Sequence, residues 1–277
     1  MRPVRDSLML LSRSVLGRRI VRTFVPGDRV DDAVRAVAEV RTAGFAVGVE
    51  RLGAPAGSAV AEYRTLIDRL ADAGLATGTD LTIGVVPLDE ARKICRTAAG
   101  AGTTVTVGAT DADTDAGAGV DARIALVAAL RADFPGVGVV LDAALPRTEG
   151  DCRALAGTGS RVRLVRGADS AEADKAYVRC LKVLLGGAGY PIVATHDPRL
   201  LEIAVALASR YGRAPATYEL QLRYGVRPAE QQRLAGTGEQ VRVLLPYGPD
   251  WYGYLAAQLA ERPANLSLLL TSLIPRK

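Results

Sequence analysis

Short apolar runs recur along the chain, and longer stretches with helical periodicity lie between them. Eight runs rich in Val and Ile are predicted strands: 45–52, 81–88, 103–109, 137–145, 162–168, 190–196, 217–222 and 241–248. They show little of the strict alternation of apolar and polar residues that a half-solvated sheet requires. Such runs are typical of parallel strands that are buried on both faces.

The stretches between the strands predict amphipathic helices. The clearest of them cover 57–74, 118–133, 171–187, 197–210 and 250–262. Gly186 and Gly187 form a plausible stop for the third of these helices. Asp197 followed by Pro198 predicts an N-cap and the first helical residue of the fourth.

Strand–helix alternation repeated eight times within roughly 230 residues predicts an α/β fold, the (βα)₈ TIM-type barrel. We expect an N-terminal helical segment over 1–42, helical from about residue 5, and a barrel over 43–277 whose last helix covers the barrel mouth. A doubly wound open sheet is the alternative. It would normally carry a Gly-rich phosphate loop after the first strand, and residues 51–55 (RLGAP) contain no such motif.

Composition limits the class of protein. The 277 residues are 49% hydrophobic and 23% charged, as in globular proteins, and no apolar run approaches the ~20 residues that span a bilayer. The N-terminus lacks the pattern of a signal peptide, so we expect a soluble, cytoplasmic protein with no integral membrane segment. A net charge of +5 raises the question of nucleic acid, but no basic run exceeds Arg18-Arg19, and we expect no nucleic-acid partner.

Metal chemistry has little support in the sequence. Cys95, Cys152 and Cys180 show no CxxC spacing, and His196 is the single histidine. An ordinary zinc site is therefore not expected, and three buried, reduced thiols are the simpler interpretation.

In a barrel of this kind, chemistry is carried where strands end and the following loops begin. The rule selects five places: Asp142, 163–169, 195–197, 221–223 and 247–248. An arginine inside a barrel is costly to bury unpaired, so Arg163 should meet a ligand anion, or else Asp142 or Glu219 in an internal ion pair. His196, at the end of the sixth strand, is either a ligand contact or a structural residue.

Four motifs in a fixed order resemble the proline dehydrogenase family. They are RLVRGA (163–168), ATHD (194–197), YELQLRYGVR (218–227) and VRVLLPYGPDWYGYLAAQLAERPAN (241–265), where the family has RLVKGAY, ATHD or ATHN, EFQMLYG and YVPYG…WY.YL.RRLAERPAN. The match is strongest over 137–273, and VLGRRIVRTFVPG (15–27) is similar to the family's opening helix. The chain looks like a divergent member of the monofunctional bacterial type.

The resemblance implies a distorted (βα)₈ barrel that holds FAD. Members of the family oxidise proline at the ring carbon beside nitrogen, by hydride transfer to flavin N5, and pass the electrons to a quinone. Carried over by motif, Arg163 matches the arginine beside N5, where a cation would stabilise the reduced flavin. The other positions matching cofactor contacts are Asp142, Val165, Arg166, Gly167, Ala168, Thr195, His196 and Glu261.

Two of these cofactor positions depart from the family. Asp142 replaces a glutamine that bonds the flavin ring, and a carboxylate there would oppose reduction unless Arg163 pairs with it. Arg166 replaces a lysine, which keeps the charge and changes the donor geometry. Asp169 stands where the family has an aromatic residue, so FAD binding is expected but weakened.

The substrate half departs further. The family's Arg-Arg clamp on the substrate carboxylate is Ala257-Gln258 here, and a pocket tyrosine is Leu244. A lysine on strand two and an aspartate on strand three align with Gly84 and Gly108. Each charge-assisted hydrogen bond to a carboxylate is worth about 1.5–3 kcal/mol, so losing two arginines predicts roughly thousandfold weaker proline binding.

The predicted function is therefore an FAD-dependent dehydrogenase acting on a small proline-like or modified amine rather than on plain proline, with a quinone or another acceptor. Arg223 replaces an apolar pocket residue and either supplies a new cation, points outward, or pairs with Asp142 or Glu219. The predicted pocket comprises Arg223, Leu244, Ala257, Gln258 and Glu261, with Arg163 as the catalytic residue. The alternatives are a catalytically silent homologue that binds a ligand or partner, ordinary proline oxidation, and a barrel enzyme unrelated to flavin.

Overall fold

The strands close into a barrel. The computed structural model describes residues 22–53, 59–108, 118–157 and 159–251. Its strands are β1 Ala46–Arg51, β2 Thr79–Ile83, β3 Thr104–Val107, β4 Gly138–Asp142, β5 Arg161–Val165, β6 Tyr190–Ala194, β7 Glu219–Arg223 and β8 Val241–Tyr247. Each strand pairs in parallel with the next, and β8 pairs with β1 from Ala46↔Arg242 to Arg51↔Tyr247. The predicted barrel is confirmed, and the open sheet is excluded.

Helices surround the barrel. They are α1 Val30–Thr42, α2 Ala59–Asp72, α3 Leu88–Gly100, α4 Ala118–Arg131, α5 Thr148–Ala156, α6 Ala171–Gly186, α7 Pro198–Arg210 and α8 Pro228–Gly236. The second strand ends at Ile83, five residues before its predicted end, because Leu88 already belongs to α3. The predicted helix over 250–262 lies almost wholly outside the described ranges. Among the helices within those ranges, none has the length and apolar composition needed to cross a bilayer.

Local sequence sets the helix ends beside the barrel mouth. The Asp197 carboxylate accepts a hydrogen bond from the Arg199 backbone N–H at 2.9 Å, and Pro198 occupies the first turn of α7. Ser170 caps α6 in the same way, and Gly187 is the residue at which that helix stops. Asp197, Pro198 and Gly187 confirm the predicted helix ends, whereas the Ser170 cap was not predicted.

The predicted N-terminal helical segment is interrupted. Residues 22–24 are helical, but 25–29 are not, and α1 begins only at Val30. Val25 packs with Leu52 in a small apolar cluster apart from the main core. Residues 1–21 of the predicted segment lie outside the described ranges.

The two faces of the barrel sheet differ in chemistry. The outward face is apolar, with residues such as Val49, Leu81 and Leu222 packed in the main core. The inward face is polar, and it includes Asp80, Thr82, Thr104, Thr106, Arg161, Arg163, Tyr190, Glu219, Gln221 and Arg242. The prediction of strands buried on both faces is confirmed, but the view that they lack alternation was wrong. Five strands alternate strictly over part of their length, because buried polar groups inside the barrel satisfy one another instead of facing water.

The three cysteines are free thiols and are buried, as expected. Cys152 on α5 donates a hydrogen bond to Cys180 on α6, which raises the pKa of Cys152 and lowers that of Cys180. Burial raises the pKa of Cys95 to about 11. None of the three is poised as a reactive thiolate near the barrel mouth.

Candidate active site

Asp80 is the centre of an ion network inside the barrel. Its side chain is fully buried on β2 and accepts hydrogen bonds from the hydroxyls of Thr104 at 2.6 Å and Thr106 at 2.8 Å. Arg161 and Arg163 on β5 donate to it at 3.3 Å and 2.8 Å. Burial alone would raise the pKa of Asp80, but the charges of the surrounding arginines and the Thr104 hydrogen bond lower it to about 2. Asp80 is therefore an ionised carboxylate in a water-poor interior.

Arg163 is fixed on the opposite side of this network. Arg163 is 2% exposed, and the two terminal nitrogens of its guanidinium donate to Asp80 Oδ2 and to Thr82 Oγ1, each at 2.8 Å. The sequence suggested Asp142 or Glu219 as the partner; the carboxylate that pairs with Arg163 is Asp80. Burial lowers the pKa of Arg163, yet the guanidinium keeps its charge because arginine does not deprotonate in proteins.

Glu219 forms a second buried ion pair, next to the first. Its carboxylate is fully buried and accepts two hydrogen bonds from Arg242, at 2.5 Å and 3.0 Å, and a third from the Tyr190 hydroxyl at 3.1 Å. Arg242 also donates to the Val47 carbonyl at 2.6 Å. This pair lies in the lower interior, the half of the barrel interior near the N-terminal ends of the strands and away from the mouth. Because Glu219 pairs with Arg242, the suggested Arg223–Glu219 pair is not the arrangement observed.

Asp142 lies at the end of β4, at the barrel mouth, and has fewer hydrogen-bond and charge partners than Asp80. Its Oδ1 accepts a hydrogen bond from the Ala144 backbone N–H at 2.8 Å. Burial raises its pKa, and the hydrogen bond and the charge of Arg123 only partly oppose that effect. Gly167 faces it with a φ of +81°, and a Cβ at Gly167 would lie 1.6 Å from Asp142 Oδ1. Asp142 thus presses against the strand edge that the sequence assigned to a cofactor ring.

The loops after β5 and β6 are joined by arginine–carboxylate contacts. Arg166 is buried, donates to Asp174 at 2.9 Å and to Asp169, and lies 3.9 Å from Asp197. Arg199 bridges Asp174 and Asp197. The guanidinium of Arg166 is therefore committed to side chains of the loop and of the first turns of two helices.

Thr195 and His196 are held by neighbouring backbone and loop groups. The Thr195 hydroxyl accepts a hydrogen bond from the Asp197 N–H at 3.2 Å, and Arg227 donates to the His196 carbonyl at 2.8 Å. Arg227 has a φ of +51°, which is rare for a residue with a side chain. The loops after β6 and β7 are thereby tied together at the mouth.

The substrate-side residues are only partly within the described ranges. Arg223 follows Glu219 and Gln221 on the same face of β7 and pairs in register with Leu244, so its Cβ points into the barrel and not outward. Leu244 is buried, and its Cδ1 lies 3.1 Å from a Cβ placed at Gly48. A Cβ at Gly108 would lie 2.8 Å from Thr82 Cγ2, so this glycine also lines the interior. Ala257, Gln258 and Glu261 lie outside the described residues.

Several buried polar atoms of the described residues have no hydrogen-bond partner. Those inside the barrel include the donor Nε of Arg163, the donor Nε of Arg161 and the acceptor Oε1 of Gln221. Gln221 lies in register with Ala194 and, through it, with Val165. Unsatisfied buried groups are costly, so a donor and an acceptor left over on nearby strands favour a ligand that carries both kinds of group.

Sequence analysis missed Asp80 and Thr82. A signal was present, because Asp80-Leu81-Thr82-Ile83 alternates polar and apolar residues. It places both polar side chains on the inner face, opposite an arginine strand. Of the predicted residues, Asp142 lies in register with Val165 and against Gly167, and Val165 lies in register with Ala194, the residue before Thr195.

Comparison with known proteins connects this geometry to one family. The family model for proline dehydrogenase matches residues 168–269. Proline dehydrogenase 1 of Bacillus subtilis is 27% identical over 274 residues, covering 92% of this chain and 91% of that protein. Proline dehydrogenase 2 of the same organism is 29% identical over 296 residues, covering 95% and 96%. Proline dehydrogenase of Deinococcus radiodurans is 28% identical over 284 residues, covering 92% and 90%.

Solved structures agree on the fold. Proline utilization A (PutA) from Bdellovibrio bacteriovorus, in a crystal structure of the protein inactivated by N-propargylglycine, superposes with a TM-score of 0.79 at 19% identity. The match covers 88% of this chain and 33% of the PutA chain. A Bradyrhizobium japonicum PutA mutant gives a TM-score of 0.73 over 94% of this chain and 32% of its own. The chain therefore spans about one third of the length of these PutA proteins.

Proposed function

Because the chain is a divergent member of the proline dehydrogenase family, we propose that it is a flavin-dependent dehydrogenase of proline dehydrogenase type. Its substrate is a proline-like or modified amine other than plain proline, oxidised at a C–N or N–N bond. The observation that carries the proposal is Arg163: a buried, immobilised cation with an unsatisfied N–H on the inner face of β5.

The interior residues fit a flavin ring. An isoalloxazine carries both hydrogen-bond acceptors and an N–H donor, which would satisfy Arg163 Nε and Gln221 Oε1. The residues that would hold FAD are Arg163, Val165, Arg166, Gly167, Ala168, Thr195 and His196, with Glu261 by resemblance alone. When bound, the flavin would supply the capacity to accept a hydride from the substrate.

The protein's own contribution is electrostatic and geometric. Arg163 would present a fixed positive charge to a bound flavin without reorganising, as preorganised dipoles and charges do in active sites. Asp142 would act in the opposite direction, because an ionised carboxylate near the flavin would raise the cost of adding electrons to it. The raised pKa of Asp142 softens this cost by favouring its neutral form.

The pocket residues favour a substrate other than free proline. Ala257, Gln258 and Leu244 replace the family's carboxylate clamp and pocket tyrosine, and neutral groups do not replace two arginines. Arg223 lies on the inner face of β7, in register with the pocket position Leu244, and would recognise an anionic or electron-rich group of the substrate in place of the missing arginines. The physiological electron acceptor, a quinone or another carrier, is a further part of the proposal.

The first experiment is the absorption spectrum of the purified chain and of the chain titrated with FAD. A yellow preparation whose extracted chromophore is FAD supports the proposal. A colourless protein that FAD does not saturate contradicts it. With flavin bound, combining Ala257→Arg, Gln258→Arg and Leu244→Tyr should raise the rate of flavin reduction by proline, and no rise would mean that the pocket is shaped around another molecule.

A catalytically silent homologue that binds a ligand or partner is the second candidate. The contact between Asp142 and Gly167 favours it, because the carboxylate occupies the space beside the strand edge where the ring would lie. Asp142→Gln, which installs the family's residue, separates the two candidates: flavin binding that appears only in this variant would support the silent homologue.

A further inference from the structure

Asp80 is the residue that determines where the Arg163 guanidinium lies. The two strands that carry them are on different sides of the barrel, and the pair is separated by 83 residues in the chain. The Asp80 carboxylate takes one terminal nitrogen, and Thr82, two residues further along the same strand, takes the other. Two bonds to one strand fix the plane of the guanidinium and leave Nε as its one nitrogen without a hydrogen-bond partner among the described residues.

We propose that Asp80 is a positioning residue for Arg163: it orients the guanidinium and partly neutralises its charge, and so sets how strongly the site favours the reduced flavin. The inference rests on the proposed flavin site. It assigns a role in tuning the cofactor to a residue outside the resembling motifs.

A purely structural ion pair would not need this arrangement. Asp80 is already satisfied by Thr104 and Thr106, which occupy both of its oxygens. Arg161 also donates to Asp80, so the carboxylate would keep a cationic partner even without Arg163. Arg161 lies over the Tyr190 ring as well, at 5.4 Å from its centroid. Arg163 instead extends the network upward from the closed lower interior toward the row of Val165, Ala194 and Gln221.

The test measures the two-electron reduction potential of bound FAD in the wild type, Asp80→Asn, Arg163→Gln and the double variant. Asn keeps an acceptor for Arg163 but removes the negative charge beneath it. We expect Asp80→Asn to raise the potential by about 30 mV, a tenfold gain in preference for reduced over oxidised flavin. In the Arg163→Gln background the same change should have a clearly smaller effect.

Thr82→Val and Thr104→Val complete the experiment, because Asp80→Asn removes a buried charge and can fail to fold. Thr82→Val keeps every charge and removes only one anchor of Arg163, so we expect a lower potential. Thr104→Val removes a bond to the other oxygen of Asp80 and should leave the potential unchanged. Thermal unfolding and FAD affinity of each variant separate misfolding from tuning.

The outcomes are distinct. If the wild type binds no FAD, the proposed function fails and this inference falls with it. If FAD binds but neither Asp80→Asn nor Thr82→Val moves the potential, the ion pair is structural and only this inference fails. Equal shifts in both Arg163 backgrounds would show that Asp80 acts on the ring directly, which also overturns the positioning role.

Discussion

Asp80 and Asp142 are two carboxylates on the inner side of the same barrel, and their surroundings move their pKa values in opposite directions. Burial raises the pKa of Asp80, but the charges of nearby arginines and a hydroxyl hydrogen bond outweigh that effect and lower the pKa to about 2. Asp142 is dominated by burial, and its pKa rises. The lower interior is thus a network in which each charged group is paired with an opposite charge, whereas the mouth retains a carboxyl group whose burial is not fully compensated, as functional sites often do.

The largest loss of stability should come from breaking the buried Glu219–Arg242 ion pair of the lower interior. Glu219→Ala leaves the buried Arg242 guanidinium without its carboxylate, and removing one partner of such a pair costs about 3–5 kcal/mol. Urea denaturation should show this loss in the free energy of unfolding. Glu230→Ala, which removes a carboxylate paired with the exposed Arg233, should cost at most about 1 kcal/mol. Similar losses in both variants would contradict the distinction.

Gly167→Ala tests the close contact at the mouth. The variant must adopt a φ of +81° and displace Asp142, so it should lose about 1–3 kcal/mol more than a positive-φ glycine in open space. Gly74→Ala is the matched control, since its φ is +68° and nothing lies within 4 Å of a Cβ there. Adding Asp142→Gly should abolish the excess loss, and an excess that persists would place the strain elsewhere.

Acid titration sharpens the contrast at Asp80. Its folded-state pKa of about 2 lies below the ordinary value of 3.8, so its contribution is present above pH 4 and is lost as the pH falls toward 2. The shift corresponds to about 2 kcal/mol. The difference in unfolding free energy between the wild type and Asp80→Asn should shrink by that amount between pH 4 and pH 2. A constant difference would mean that Asp80 is not ionised and paired as described.

Asp142 should give the smallest effect, with the opposite sign. Its folded-state pKa is raised, so the fold favours the neutral carboxyl: the stability it contributes is present below pH 3.8 and is lost as the pH rises through the raised value. Asp142→Asn should therefore leave stability unchanged at pH 3 and increase it slightly at pH 8. Thermal unfolding at the two pH values measures this, and a loss at pH 8 would show that the carboxylate is paired.

Much of the fold could be predicted because local patterns encode it. Apolar runs located all eight strands within a few residues, and Ser170, Asp197 and Gly187 delimit helices by bonds that reach only a few residues along the chain. The helices α3, α5 and α8 were not located in advance, and the start of β2 was placed two residues too late. The start of β2 was missed because Thr79 and Asp80 are polar and yet buried, so an apolar run does not reveal them.

Sequence patterns were enough to predict the repeating strand–helix order, the placement of Arg163 on the fifth strand and the substitutions that remove the carboxylate clamp. The pairing of Arg163 with Asp80 and the position of Asp142 beside Gly167 became visible in the folded chain. The physical reason is that hydrophobic periodicity and capping act between residues near in sequence. Barrel closure instead sets the registers that bring together groups 83 residues apart.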